Sequence, residues 1–89
     1  MKTVSIIVQG KVQGVFYRKT ARSKGEELGL TGFVRNEEDG SVYIEATGDE
    51  AILEQFGEWC RNGPDRAEVT EVTMNDLPLT HYHGFSVQR

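Results

Sequence analysis

The sequence predicts an α+β fold, a two-layer sandwich with two helices on one face of an antiparallel sheet. Three observations carry this expectation. Apolar residues alternate with period two at Val4, Ile6 and Val8, and again at Val42, Ile44 and Ala46, the pattern of strands with one face buried. Two other stretches, about Tyr17–Leu28 and Ile52–Cys60, repeat their apolar residues every three or four positions, which places them on one side of a helix. The patterns follow one another as β-α-β-β-α-β, and a single sheet carrying both helices on one face buries both amphipathic sets in one core.

The first strand holds Val4, Ile6 and Val8, with Ile7 pointing to partial cover on its other face. A glycine-containing loop follows, in which Gly10 and Gly14 allow the chain to curl because neither carries a Cβ. The first helix aligns Tyr17, Ala21, Gly25 and Leu28. Gly25 costs helix propensity there, and close packing against the sheet is the reason expected for it. Gly29 suits the helix C-terminus, with Leu30 folding back over the last turn. Thr31–Asn36 and Ser41–Thr47 read as a hairpin across Glu37-Glu38-Asp39-Gly40. Val42, Ile44 and Ala46 face the core, and Ser41, Tyr43, Glu45 and Thr47 face the other side. Asp49 is placed to cap the second helix, whose stripe is Ile52, Leu53, Phe56, Trp59 and Cys60, and Asn62-Gly63-Pro64 stops it. A fourth strand covers about Glu68–Met74, with a slip of parity between Val69 and Val72 that reads either as a bulge or as a misplaced boundary. Leu77-Pro78-Leu79 and His81-Tyr82-His83-Gly84 read as loop, and Phe85 and Val87 as a short last strand that this loop splits from the fourth.

At 89 residues, with 37% hydrophobic and 27% charged, the chain is expected to form one domain, residues 1–89. No apolar run is long enough for a membrane span, and the start of the chain has no signal-peptide pattern, so a cytoplasmic protein without membrane contact is expected. One cysteine, Cys60, and two histidines provide neither an internal disulfide nor a zinc ligand set. A net charge of -4 argues against nucleic acid as a general partner. It also means that any anion site must be local.

Such a site is legible in Gly10-Lys11-Val12-Gln13-Gly14-Val15-Phe16-Tyr17-Arg18. A glycine loop leading from a strand into a helix leaves backbone N–H groups without intrahelical partners, aimed at whatever sits above the helix start. Arg18 adds a planar fork of donors matched to phosphate or carboxylate oxygens. A solvated arginine is the plain alternative. Yet a cation near a helix N-terminus opposes the helix dipole, and an anion between the two relieves the conflict. The loop is neither a Walker P-loop nor G-x-G-x-x-G. Asn36, at the end of the second strand, reads either as a turn asparagine or as an amide that accepts from and donates to one water. A water held in line with a phosphorus, with an arginine on the equatorial oxygens, is sufficient machinery to hydrolyse an activated phosphate.

The remaining candidates have ordinary explanations. Glu37, Glu38 and Asp39 form a solvated turn, His81 and His83 lie on the surface, and Cys60 has no neighbouring base. Lys11, Lys19 and Lys24 lend positive potential around the loop, although the solvated face of the helix explains Lys24 equally well.

The loop Gly10–Arg18 resembles the G-x-V-Q-G-V-x-[FY]-R signature of the acylphosphatase family. A second stretch resembles that family's other signature: Gly32-Phe33-Val34-Arg35-Asn36, three residues, Gly40-Ser41-Val42, five residues, then Gly48. The likeness runs over essentially the whole chain, including Gly63-Pro64 and Gly84-Phe85-x-Val87. It implies a ferredoxin-like βαββαβ sandwich. The implied activity is hydrolysis of the carboxyl–phosphate anhydride of acyl phosphates, giving carboxylate and inorganic phosphate without metal or cofactor. Arg18 matches the family's phosphate-binding arginine and Asn36 its water-orienting asparagine. Gln13, Gly14, Val15, Phe16 and Tyr17, together with Arg18, correspond to its phosphate cradle.

A stand-alone monomeric hydrolase is therefore expected, with an acyl phosphate as its small-molecule partner. Three other readings compete. One is the acylphosphatase-like module of larger carbamoyl-transfer maturation proteins, weakened by the absence of zinc-finger cysteines. A second is a non-catalytic module that binds phosphate-bearing metabolites, which would not need Asn36 beside Arg18. The third is an RNA-binding sheet, disfavoured because Tyr43 is the only aromatic on the outward set of the third strand and such sheets use neighbouring aromatic platforms.

Overall fold

A computed structural model of the chain describes residues 1–88. The elements are β1 (Lys2–Lys11), α1 (Tyr17–Glu27), β2 (Thr31–Asn36), β3 (Val42–Gly48), α2 (Glu50–Asn62), β4 (Glu68–Leu77) and β5 (Phe85–Val87). The strands form one sheet in the order β4-β1-β3-β2-β5. Four of them are the antiparallel sheet of the ferredoxin-like fold, and β5 joins the outer edge of β2 in parallel, with Gly32 opposite Phe85 and Val34 opposite Val87.

Alternation along the strands divides the two faces. Val4, Ile6 and Val8 of β1 and Val42, Ile44 and Ala46 of β3 are buried under the helices, which contribute Tyr17, Ala21, Leu53, Phe56 and Cys60 to the same core. Gly25 packs as expected: a Cβ there would lie 2.6 Å from the Phe85 ring. Helix α1 ends with Leu30 N–H donating to the Gly25 carbonyl (2.9 Å), the bond of a Schellman end. The irregularity expected in β4 is also present. Gln9 pairs with Glu71 and Gly10 with Val69, so Thr70 is the extra residue of a bulge.

Two local expectations are corrected. Gly10 does not curl the loop. It lies inside β1 at φ 125°, where a Cβ would meet the Glu68 carbonyl oxygen at 2.1 Å, so it is needed for the close approach of β4. Asp49 stands at the start of α2, but its side chain makes no capping bond. Its carbonyl takes the first helical bond, from Leu53 N–H at 2.9 Å. Ser41 and Thr47 point away from the helices as expected, and both are buried.

What buries Thr47 is the segment between β4 and β5. These strands occupy opposite edges of the sheet, about 19 Å apart at the spacing of neighbouring strands. Seven residues, 78–84, reach about 25 Å at full extension. The segment therefore crosses the helix-free face with little slack. Thr80 pins it: its N–H donates to Thr3 Oγ1 (2.8 Å) and its carbonyl accepts from Thr47 Oγ1 (2.6 Å).

The same crossing brings Tyr82 onto the Phe33 ring, 5.9 Å between centroids, with Tyr43 6.1 Å from Phe33 on the other side. Tyr43 therefore does not stand alone on this face. Its ring is covered by the Arg35 guanidinium at 4.7 Å, and Glu45 accepts hydrogen bonds from the hydroxyls of both Tyr43 and Tyr82. Burial, reinforced by that carboxylate, pushes both phenols up to about 12. The cluster's groups are thus committed to one another rather than presented as free stacking faces.

No helix among the described residues is long and apolar enough to cross a membrane.

Candidate active site

The chain leaves β1 at Lys11, turns through residues 12–16 and enters α1 at Tyr17. Gly14, at φ 73°, makes the turn. No backbone carbonyl among the described residues accepts a hydrogen bond from the N–H of Gly14, Val15 or Phe16, and the first N–H groups of α1 lack partners by helix geometry. The first turn carries no acidic side chain. Arg18 and Lys19 instead add positive charge there, and neither forms an ion pair among the described residues. The helix start is an electropositive patch with unused donors, the condition under which a bound oxyanion is most favourable.

These groups line one wall of a cleft of about 290 Å³, bounded by Val12, Gly14, Phe16, Tyr17, Arg18, Lys19, Asn36 and Val87. Arg18 and Asn36, from the start of α1 and the end of β2, thus share one cleft. Asn36 Oδ1 is buried and is the one buried side-chain oxygen or nitrogen among the described residues without a hydrogen-bond partner. Buried polar atoms are nearly always satisfied, so this acceptor stands out.

The other candidates separate by role. Gln13 does not line the cleft. Its Nε2 donates to the Glu37 carbonyl (2.8 Å) and the Ser41 carbonyl (2.9 Å), which ties the loop to the hairpin just beyond Asn36. The Val15 side chain is buried in the core. Tyr17 touches the cleft, but its hydroxyl donates to the Cys60 carbonyl (2.8 Å). That carbonyl lies in the last turn of α2, where the fourth residue on is Pro64 and has no N–H to give. Burial drives the Tyr17 phenol far above its ordinary range and the Cys60 thiol up to about 12, so neither ionises to a base or nucleophile at neutral pH.

The acidic turn is structural. Glu37 pairs with Arg35 at 3.2 Å. Asp39 accepts from the N–H and hydroxyl of Ser41, which holds its carboxyl below the usual range. Among the described residues no group of three or more His, Cys, Asp or Glu is placed to hold a metal ion.

Two contributors escaped the sequence reading. Val87 supplies part of the cleft from β5. The Gln88 carbonyl accepts from Arg18 Nη1 at 3.1 Å, while Gln88 N–H is held by the Val34 carbonyl (2.8 Å). Arg18 is thus braced from the far end of the chain with other guanidinium donors left over. No local pattern could announce a partner 70 residues away.

Comparison with known proteins agrees with this geometry. A family model described as Acylphosphatase matches residues 4–87. An acylphosphatase of Marinobacter nauticus is 52% identical over 75 residues, covering 84% of this chain and 82% of that protein. One from Methylococcus capsulatus is 44% identical over 90 residues, covering 100% and 98%. The crystal structure of acylphosphatase from Bacillus subtilis superposes with a TM-score of 0.96 at 36% identity, covering the whole of both chains.

Proposed function

The chain belongs to the acylphosphatase family, and we propose that it performs that family's hydrolysis with the cleft at the start of α1. The reaction converts an acyl phosphate to a carboxylate and inorganic phosphate. The observation that carries the assignment of residues is the meeting of Arg18, unpaired donors at a helix N-terminus and the unpartnered Asn36 Oδ1 in one cleft.

In this reading the phosphoryl oxygens lie on the backbone N–H groups of Gly14 to Arg18 and on the Arg18 guanidinium. The Gln13 side chain contributes by holding the loop to the hairpin, and its backbone belongs to the same cradle. Charge that builds on the equatorial oxygens in the transition state meets donors already in place, so little reorganisation accompanies the reaction. The Asn36 carboxamide accepts a hydrogen bond from the attacking water and orients it toward phosphorus. The water oxygen forms the new P–O bond as the bond to the acyl oxygen breaks. The carboxylate leaves with that electron pair, and the water's proton passes to a phosphoryl oxygen. Carboxylates are weak bases, so the leaving group requires no proton from the protein. Ordinary phosphate esters, with far more basic leaving groups, are cleaved slowly or not at all.

Arg18, Asn36, Val87 and the Gln88 brace meet within one fold, which supports reading the chain as one catalytic domain.

The test is hydrolysis of benzoyl phosphate by the purified protein in the presence of EDTA, with Arg18→Ala alongside. Turnover in the wild type that falls about 10³-fold or more in R18A, with weakened inhibition by phosphate, is the expected result. A folded wild type without turnover, or an R18A variant with near-normal turnover, overturns the assignment.

A further inference from the structure

The carbonyl that braces Arg18 sits on a weakly attached piece of chain. Gln88 is exposed and lies just beyond β5, a strand of three residues at the edge of the sheet. Its one neighbour is β2, in a parallel pairing, the less stable kind per residue. Phe85 fixes one point of this strand, buried against Gly25 and edge-on to Phe56 at 5.8 Å. One point leaves a pivot. Gln88 is three residues farther on, about 10 Å along an extended strand, so a swing of about 6° shifts its carbonyl by about 1 Å. A misplacement on that scale costs a reaction up to about 10² in rate.

A second fixed point lies on the other side of Phe85. Every residue of 78–84 is exposed except Tyr82, which is half-buried. Its ring meets Phe33 edge-on at 5.9 Å, and its hydroxyl donates to Glu45 Oε1. Phe33 stands opposite Glu45 of β3 on one side and Ser86 of β5 on the other. Tyr82 is thereby clamped to the row of residues that sets the register of β5. From there the chain turns at Gly84 (φ 66°), whose carbonyl accepts from Gly32 N–H at 2.9 Å. Phe85 holds the strand from the helix side and Tyr82 holds its approach from the helix-free side. Two points fix a direction where one does not.

We propose that Tyr82 is a positioning residue for Arg18: its clamp on Glu45 and Phe33 fixes the direction of β5, and with it the Gln88 carbonyl against which the guanidinium is aimed. This rests on the placement of the phosphoryl group at Arg18. Tyr82 does not line the cleft, so its effect passes through β5.

The test compares Tyr82→Phe and Tyr82→Leu with Tyr43→Phe. Tyr43 is the matched control, because its hydroxyl donates to the other oxygen of the same carboxylate, Glu45 Oε2, at 2.6 Å, from β3 rather than from the segment that leads into β5. Y82F and Y43F each lose one bond to Glu45, keep their rings, and should lose similar stability. Only Y82F is expected to lower kcat for benzoyl phosphate, by about threefold to tenfold, and to weaken inhibition by phosphate; Y82L goes further in both. The second readout is nitrogen NMR of the Arg18 guanidinium, identified by its absence in R18A. The bond to Gln88 slows rotation of the Nη groups in the wild type, and Y82F should speed it at least about twofold while Y43F leaves it unchanged. Equal loss of kcat in Y82F and Y43F, or Arg18 rotation in Y82F that matches the wild type, overturns the clamp and leaves the hydrolase intact. A wild type without turnover overturns the hydrolase reading instead, and Arg18 rotation then still decides whether Tyr82 holds the brace.

Discussion

Replacing Asn36 with alanine should separate activity from stability. An unpaired buried acceptor such as Asn36 Oδ1 costs about 1–3 kcal/mol of folding stability. Alanine removes that acceptor. Against this stand the weaker strand preference of alanine and some lost contact, together about 1 kcal/mol. The balance is a gain of up to about 2 kcal/mol. A gain of about 1 kcal/mol would raise Tm by roughly 4–8 °C for a domain of this size. A water that caps Oδ1 in the free enzyme brings the gain toward zero, so the expected change runs from none to a rise of about 8–16 °C. Activity moves the other way. Losing the group that orients the nucleophile should lower kcat by about 10²–10³, while competitive inhibition by phosphate changes only a few-fold because Arg18 and the loop amides remain. Scanning calorimetry and steady-state hydrolysis of benzoyl phosphate read the two effects on one preparation. A Tm lowered by more than about 4 °C would mean that Oδ1 is bonded in the native protein. A kcat within threefold of wild type would remove Asn36 from the mechanism.

Gln13→Ala deletes two hydrogen bonds to the carbonyls of Glu37 and Ser41, each of which keeps a backbone partner. It should cost about 1–2 kcal/mol in urea unfolding and lower kcat/KM by loosening the loop from Asn36, and wild-type values in both would refute the tie. Gly25→Ala places a Cβ 2.6 Å from the Phe85 ring, which is itself packed edge-on to Phe56 at 5.8 Å. Overpacking of about 1–3 kcal/mol outweighs about 1 kcal/mol of helix propensity, so Tm should fall, and a stabilised variant would show that the ring can yield. All three tyrosines are shifted above the ordinary value of 10.0, Tyr43 and Tyr82 to about 12. A phenol whose pKa is higher folded than unfolded contributes stability that is complete below about 10 and lost as pH rises toward 12. Ultraviolet titration should therefore show little tyrosinate in the folded protein at pH 10, and alkaline unfolding should set in above it; ordinary ionisation of two tyrosines near 10 would refute the Glu45 clamp.

Much of the fold and of the site was legible because it is local. The helix over Tyr17–Glu27, the strand over Thr31–Asn36 and the stop at Asn62 follow from periods and punctuation within a dozen residues. Even the bulge at Thr70 showed itself as a slip of parity. The contiguous motif held the proposed cradle and Arg18 because such a cradle is a single turn of backbone. The errors arose where one position answers to a distant one. Gly10 looked like loop chemistry but answers to the Glu68 carbonyl. The Gln13 side chain, unremarkable in the sequence, answers to the hairpin. Tyr43 looked solitary until Tyr82 and Phe33 were brought beside it.

By itself, the sequence determined the two-layer architecture, the electropositive helix start and the presence of Arg18 and Asn36, since alternation, helical spacing and unpaired N–H groups are consequences of neighbouring residues. Only the tertiary structure decided that Arg18 and Asn36 share a cleft, that Gln88 braces the arginine, and that Val87 faces Phe16's cleft rather than open solvent. The cause is the crossing of residues 78–84 over the sheet, which carries β5 to the far edge beside β2. Its course is set by hydrogen bonds that Thr80 N–H donates to Thr3 and Thr80 C=O accepts from Thr47, long-range pairings whose loop-closure cost is met only when the whole sheet forms.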